Sequence, residues 1–282
     1  MGAARIAARG LGAVLLPLLL GAAPAPALEM PPPRPREAWP VAEVSVGVSV
    51  LSRSALLCAA PLQTWCGSDA NLAFTTDAPY LGAELQLTAF PFAQVEAEEW
   101  RGLGVEGRYG WAAIQVSDGT ATALAIDQAW AAEALYRQPL ELWGWRPWVG
   151  ARVGAASRRF AVPDAVEGLQ VRRGIGPEVG LDAGMALMGP SLRLELSARY
   201  AMGANPGPAE RELYGDGAST DAYTWSAGLS GALVSSGWFG WSATLEQQLF
   251  LDTYRGSGTR APRGAWVMER YTALTAGLRY RF

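Results

Sequence analysis

The side chains that could carry out chemistry in this chain are carboxylates, arginines and two cysteines. The 282-residue sequence contains no histidine and no lysine, so arginine supplies every positive side chain. The missing histidine removes the commonest general base and metal ligand. Carboxylate pairs such as Asp216 with Asp221 remain conceivable acid–base groups, but no spacing of acids matches a calcium loop. The sequence therefore assigns no catalytic, metal-binding or cofactor-binding residue.

The two cysteines, Cys58 and Cys66, bracket the segment CAAPLQTWC. A pair of cysteines suits an oxidising compartment, and a bridge between them would stabilise the chain by roughly 2–3 kcal/mol in the chain-entropy model. Two free thiols are the alternative. Because no histidine is present to activate either thiol, a catalytic cysteine is not expected. The sequence predicts a disulfide in a surface loop.

The composition excludes several classes of function. Charged residues make up 17% of the chain, against about 25% in ordinary soluble domains. The formal charge of −3 provides no basic footprint for nucleic acid. Hydrophobic residues make up 50%, yet mean hydropathy is only +0.08, so the apolar residues are diluted along the chain.

The first 40 residues are expected to precede the folded domain. Residues 1–27 have the layout of a secretory signal peptide: Arg5 and Arg9, an apolar stretch over 11–23, and a small-residue cleavage site at 25–27. An uncleaved membrane anchor is the alternative, although the apolar stretch is short for one. Residues 28–40 are rich in proline and are expected to form an extended linker. Residues 41–282 form the predicted main domain.

Residues 41–282 alternate between apolar and polar with a period of two, which indicates β-strands. The final segment, LTAGLRYRF, puts Leu278, Tyr280 and Phe282 on one face and Arg279 and Arg281 on the other. About ten such segments occur, most of them around ten residues long, the length that a tilted transmembrane strand needs. The others include EVSVGVSV, LGAELQLTA, GLGVEGRYGW, WVGARVGA, GIGPEVGLDAGMAL, LRLELSARYAM, YTWSAGLSGAL and FGWSATLEQQLFL.

The connections between these segments alternate in length. Long ones are predicted at 54–79, 157–171, 203–221 and 255–266, with a shorter one at 117–121. Short ones are predicted at 138–140, 189–191 and 235–237, and 91–98 is intermediate. Short turns on one side and long loops on the other are typical of outer-membrane barrels.

Two features indicate that the apolar face meets lipid. Aromatic residues, among them Trp100, Tyr136 and Trp225, cluster at strand ends, where rings suit a lipid–water interface. The polar face combines glycine with charge, and an inward glycine makes room for a neighbouring arginine in a tightly curved barrel. A soluble secreted β-protein with its apolar face inward is the alternative.

The C-terminal row Leu278, Tyr280 and Phe282 resembles the assembly signal of bacterial outer-membrane β-barrel proteins. The resemblance implies an all-β, transmembrane, antiparallel up-and-down barrel of about ten strands, with eight or twelve as alternatives. It also implies a place in the bacterial outer membrane, with both termini periplasmic. The implied partners are outer-membrane lipid and the insertion machinery, and any ligand of the extracellular loops is unidentified.

On this assignment the charged residues of the polar face point into the lumen as a network of nearly balanced sign. A selectivity filter would instead show a ring of one sign, so mixed signs favour ion pairs across a largely filled barrel. The predicted lumen residues are Glu84, Glu106, Arg108, Asp127, Arg152, Glu178, Asp182, Arg193, Glu195, Arg199, Glu246 and Arg279.

Two functions remain open, and an enzyme is a remote third. The first is a structural or surface-binding barrel that acts through its outer loops, and the second is a narrow pore for small solutes or ions. Barrel enzymes such as the omptin proteases, the lipid A deacylases and outer-membrane phospholipase A use histidine, so none of their sites can be carried over. The omptins are also ten-stranded, but strand number alone implies no activity.

Overall fold

The structure is a computed structural model that describes residues 39–59, 71–75, 79–117, 122–142, 145–161, 171–189, 191–203, 206–235 and 237–282. Within these residues ten long strands form a barrel: β1 (Ala42–Cys58), β3 (Tyr80–Ala89), β4 (Leu103–Ser117), β5 (Thr122–Pro139), β6 (Trp148–Ala161), β7 (Val171–Ala186), β8 (Arg193–Met202), β9 (Gly217–Ala232), β10 (Phe239–Arg255) and β11 (Ala265–Arg281). A short strand, β2 (Asn71–Thr75), pairs with the far end of β1. The two helices are α1 (Glu98–Arg101) and α2 (Pro208–Tyr214), and no helix in the described residues is long and apolar enough to cross a membrane.

The barrel is closed by its first and last strands. Each long strand pairs antiparallel with its neighbour in sequence, and β1 pairs with β11 from Glu43 opposite Arg281 to Cys58 opposite Trp266. The backbone N–H of Phe282 also donates to the carbonyl of Ala42 at 2.9 Å. The prediction of an up-and-down barrel of about ten strands is confirmed.

The apolar face of each strand points outward. On β3, Leu81, Leu85 and Leu87 are exposed on the outer face, whereas Thr88, which points into the barrel, is buried. A soluble monomer rarely exposes a continuous apolar surface of this extent. The same outward face carries Val46, Val48, Val50, Val105, Val153, Val179, Leu181, Leu196, Leu245, Leu274 and Leu278, all of them exposed.

Several strands are longer than predicted, because the period continues past the apolar band. The ten long strands run from 10 to 18 residues. Parts of the predicted loops at 54–79, 157–171, 203–221 and 255–266 belong to β1, β6, β9 and β11. Past the band the polarity reverses: Ala55 and Leu57 of β1 are buried inside, while Ser52 faces outward. This reversal is expected where the barrel wall extends beyond the lipid into water. It is also the reason that the pattern of apolar residues did not predict the full length of these strands.

Connection lengths follow the predicted alternation. Residues 140–147, 187–192 and 233–238 form short connections at the end of the barrel that also holds both termini, which we call the turn end. The opposite end, the loop end, carries the longer connections, including 203–216 with helix α2 and 256–264. The intermediate connection, 90–102, contains helix α1 and lies at the turn end. The predicted signal peptide and most of the linker lie outside the described residues.

Several inward glycines lie where a side chain would collide with the neighbouring strand. A Cβ built on Gly154 of β6 would lie 2.1 Å from the carbonyl oxygen of Ala132 on β5. On Gly110 of β4, the nearest such atom would be 4.0 Å away. A Cβ on Gly180 would lie 2.6 Å from Cγ of Arg199 and 2.9 Å from Cγ of Arg152, as expected if glycine makes room for arginine.

We predict that Gly154→Ala lowers the free energy of unfolding by about 1–3 kcal/mol, because the added methyl forces the β5 and β6 backbones apart. The matched variant Gly110→Ala, also inward, should leave it nearly unchanged. Urea unfolding of protein refolded in lipid vesicles, followed by tryptophan fluorescence, measures both. Equal unfolding midpoints for the two variants would contradict the packing described for Gly154.

Candidate functional site: the barrel lumen

The structure places the predicted polar residues around two chambers inside the barrel. The chamber nearer the loop end has a volume of about 100 Å³, and the chamber nearer the turn end has one of about 130 Å³. Each of the twelve lumen residues predicted from the sequence lines at least one chamber: Glu84, Glu106, Arg108, Asp127, Arg152, Glu178, Asp182, Arg193, Glu195, Arg199, Glu246 and Arg279.

A partition of charged side chains lies between the two chambers. Glu84, Arg108, Arg199 and Glu246 line both of them. Arg108 of β4 donates to Glu246 of β10 at 3.1 Å, across the barrel, and Arg199 of β8 donates to the same oxygen at 3.0 Å. Two guanidinium groups therefore converge on one carboxylate in the middle of the lumen.

An outer ionic layer lies near the loop end and centres on Arg173 of β7. The Arg173 side chain is almost fully buried, and its two terminal nitrogens lie 2.5 Å from Asp252 of β10 and 2.6 Å from Glu269 of β11. Glu269 also receives hydrogen bonds from Arg53 at 2.5 Å and from Tyr271 at 2.7 Å. This layer links β1, β7, β10 and β11 through buried charge.

The same layer continues on β5 and β6. Arg158 donates to both oxygens of Asp127, at 3.1 and 2.5 Å, and Tyr80 donates to Asp127 at 2.8 Å. The guanidinium carbon of Arg158 lies 3.5 Å from the ring centroid of Tyr271, which adds a cation–π contact. The outer layer thus matches three arginines with three acids: Arg53, Arg158 and Arg173 with Asp127, Asp252 and Glu269.

A middle ionic layer surrounds the partition and is richer in acid. Arg152 donates to Glu106 at 3.2 Å, to Glu133 at 2.7 Å and to Asp182 at 2.5 Å. The layer as a whole contains Arg108, Arg152 and Arg199 with Glu84, Glu106, Glu133, Glu178, Asp182 and Glu246. The near balance of positive and negative charges that the sequence predicts therefore does not hold in every layer of the lumen.

A lower ionic layer and an aromatic cluster, which we call the plug, lie at the turn end. Arg279 forms ion pairs with Glu43 and, at 3.2 Å, with Glu195. Trp39, just before β1, stacks on Phe90 with ring centroids 5.3 Å apart, and Ala93 and Leu135 belong to the same buried cluster. Arg137 caps this plug, with its guanidinium carbon 4.4 Å from the Trp148 ring.

An apolar cluster, which we call the cap, lies at the loop end. Tyr214 of α2 and Tyr254 of β10 contact each other, with ring centroids 5.4 Å apart, and Ala261 of the 256–264 connection is fully buried beside them. Pro206 is also fully buried and pairs with Arg173 through the backbone. The cap therefore sits directly on the outer ionic layer.

The remaining predicted sites lie outside the lumen. Leu278, Tyr280 and Phe282 are exposed on the outer face at the turn end, where Tyr280 packs on Phe282 at 4.7 Å and on Trp238 at 5.3 Å. Cys58 is buried at the end of β1. Cys66 lies outside the described residues, so the Cys58–Cys66 bridge stays a prediction.

Sequence reasoning missed seven lumen charges. Six of them continue the inward period of a strand: Glu133 and Arg137 follow Asp127, Arg158 follows Arg152, Asp252 follows Glu246, Glu269 precedes Arg279 and Arg53 follows Glu43. Extending the alternation along the full length of each strand would have found these six. Arg173 is different, because the β6–β7 register shifts between Ala156 and Arg158 and puts Arg173 out of phase with Glu178.

The chemistry of this lumen is mutual neutralisation. Among the described residues no group of three or more acidic, cysteine or histidine side chains is arranged to hold a metal ion. The acids face arginines instead. Paired charges of this kind stabilise the barrel only as long as both partners are present, because a lone buried charge is costly.

We predict that Arg173→Met lowers the free energy of unfolding by about 3–5 kcal/mol, since it leaves Asp252 and Glu269 with one cation fewer. The control is Arg270→Met, at an exposed position on the outer face of β11, which should change stability by about 0.5 kcal/mol or less. Urea unfolding in lipid vesicles compares them. Equal losses for both variants would refute a structural role for the outer layer.

Comparisons with known proteins concern the fold. No protein-family model matches the chain, and no curated protein matches it in sequence. The solved structures include the outer-membrane protease OmpT from Escherichia coli, at 10% identity over 86% of this chain and 96% of that one, with a TM-score of 0.50. Outer-membrane phospholipase A from Escherichia coli (10% identity, 88% and 93% covered, TM-score 0.33) and a COG4313 outer-membrane channel from Pseudomonas putida F1 (10%, 86% and 99%, 0.34) also match. The chain has the closed ten-strand barrel fold of the bacterial outer-membrane β-barrel proteins.

Proposed function

We propose that this chain is a non-enzymatic integral protein of the bacterial outer membrane, closed to solutes, that acts as a structural or surface-binding barrel through its loop end. The observation that carries the proposal is that the lumen is obstructed at three levels. The apolar cap, the Arg108–Glu246–Arg199 partition and the Trp39–Phe90 plug lie one below another. A conducting porin has sixteen or more strands and an open aqueous lumen.

Membrane placement follows from the surface. The apolar band belongs in hydrocarbon, because keeping its leucines and valines in water would cost about 25 cal/mol per Å² of apolar area. The paired aromatic rings of Tyr280, Phe282 and Trp238 suit the interface at the turn end. We infer that the turn end and both termini are periplasmic, that the loop end is extracellular, and that insertion machinery reads the Leu278–Tyr280–Phe282 row.

A surface role is favoured over catalysis for a chemical reason. The sequence has no histidine, and the buried acids of the lumen are engaged with arginines rather than held ready for proton transfer to a substrate. Asp221, one of the loop acids considered above, accepts a hydrogen bond from Tyr200 at 2.6 Å, and Asp216 is exposed. The likeness to OmpT brings no activity with it.

The second candidate is a narrow pore, and the two chambers are the observation that favours it. Together they provide internal space, and removing the partition would join them. Conduction would then need the cap and the plug to move aside. The filled-barrel proposal and the pore differ in one measurable quantity, the ionic conductance.

We predict that the refolded protein, inserted in a planar bilayer, produces no reproducible single-channel steps, because salt-bridged side chains and two apolar closures block the path. Insertion is verified independently by the heat-dependent mobility shift of a folded barrel on gels. Reproducible small steps whose ion selectivity changes in Arg199→Ala, but not in the outward control Arg270→Ala, would overturn the closed-lumen proposal and establish the pore.

We also predict the orientation of the two ends. An epitope inserted after Ser257, exposed in the 256–264 connection, should be recognised by antibody on intact cells. The same epitope after Ser235, exposed in the turn-end connection 233–238, should be recognised only after the outer membrane is permeabilised. The reverse pattern would show that the loop end faces the periplasm and would remove the basis for a surface role.

A further inference from the structure

The middle ionic layer contains acidic residues that lie opposite or close to one another on neighbouring strands. Strand register sets Glu106 of β4 directly opposite Glu133 of β5, and Glu133 opposite Gly154 of β6. Gly154 in turn lies opposite Glu178 of β7. Like charges directly opposite each other destabilise a sheet. Because Gly154 has no side chain, β6 places none between Glu133 and Glu178 at this height of the lumen wall.

The number of cations in this layer is too small for its acids. Among the described residues that form it, three arginines accompany six carboxyl groups, whereas the outer layer matches three with three. The next cation toward the turn end, Arg137, stacks on Trp148. Six ionised carboxylates would leave the centre of a lipid-embedded barrel with excess negative charge, at high cost.

Three acids of the middle layer have a buried oxygen without a hydrogen-bond partner, Glu133, Glu178 and Asp182, and the first two lie on either side of Gly154. Oε2 of Glu133 accepts from Arg152 at 2.7 Å, but the buried Oε1 of Glu133 has no hydrogen-bond partner. Oε1 of Glu178 is also buried without one, and its guanidinium contact, with Arg199, is 3.9 Å long. Glu178 is 5% exposed and lines the chamber nearer the loop end. Glu133 and Glu178 both point into the lumen, and both lie opposite Gly154, on the strands at either side of it.

We propose that the lumen binds a proton at neutral pH between the carboxyl groups of Glu133 and Glu178. Two carboxylates have only acceptor atoms, so they cannot hydrogen-bond each other. One proton makes Glu178 a neutral acid whose O–H donates to the Glu133 carboxylate. The bond satisfies two buried oxygens and removes one negative charge from the layer. Glu178 carries the proton because Glu133 is the one that faces Arg152.

The charged groups around this pair come from every neighbouring wall of the barrel. Arg108 and Glu106 face it from β4, Arg152 from β6, Asp182 from β7 itself and Arg199 from β8. Across the lumen, Glu246 of β10 receives Arg108 and Arg199, and Glu84 of β3 accepts from Thr275 at 3.2 Å. Because Arg108 and Arg199 also donate to Glu246, these two arginines do not by themselves neutralise Glu178.

Infrared spectroscopy of the refolded protein tests the proposal directly. At neutral pH the wild type should show the carbonyl stretching band of a protonated carboxylic acid, and Glu178→Gln should abolish it. The matched control is Glu195→Gln: Glu195 accepts from Arg279 and Ser230, both at 3.2 Å, and its loss should leave the band intact. Absence of the band in folded wild type, or its survival in both Glu178→Gln and Glu133→Gln, would overturn the proposal.

Stability against pH provides a second measurement. A proton held by the folded barrel and released on unfolding makes stability fall as pH rises. The thermal unfolding midpoint of the wild type should therefore fall from neutral to alkaline pH more steeply than that of Glu178→Gln. Identical slopes would contradict the shared proton. A wild-type midpoint that rises in sodium chloride but not in N-methylglucamine chloride, with no acid band, would instead assign a metal cation to the site. None of these readouts depends on whether the barrel conducts.

Discussion

The need to neutralise charge inside a lipid-embedded barrel governs this structure. The outer wall must be apolar where it meets lipid, so the charged side chains of that part of the strands point inward, into a narrow lumen. There each guanidinium group must find a carboxylate within a few ångströms. Arg173 meets Asp252 and Glu269 at 2.5 and 2.6 Å, and Arg108 crosses the lumen to reach Glu246 at 3.1 Å. These contacts join strands that are distant in the chain and fill the space between them.

Small residues make this filling possible. Gly154 and Gly180 lie where a methyl group would strike a neighbouring strand or an arginine stem. The wall of the chamber nearer the loop end also contains small residues, including Gly110, Ala131 and Ala156. A barrel with larger inward residues would have no room for ten or more long charged side chains. Charge and glycine therefore occur together on the inward face for one steric reason.

The ends of the lumen bear most directly on function. An apolar cluster at the loop end and an aromatic cluster at the turn end lie on either side of the ionic layers. The proposed closed lumen rests on these clusters, and it would leave the loop end as the surface that other molecules can meet. The middle layer is the exception to charge matching, and that excess of acid is the reason for assigning a proton to the Glu133–Glu178 pair.

The sequence alone determined the class of structure, because a period of two is a local property that survives in any strand. It predicted a barrel of about ten strands, the inward face and twelve charged residues for the lumen, among them Arg199 and Glu246. It missed Asp252 and Glu269, since the polarity of the wall reverses where the barrel leaves lipid. It could not place Arg173, because a register shift is a relation between two strands. Only the tertiary structure decided which charges meet, that Glu133 and Glu178 lie on either side of Gly154, and that Trp39 packs on Phe90 at the turn end. Those facts depend on strand pairing and barrel closure, which bring together residues far apart in the chain.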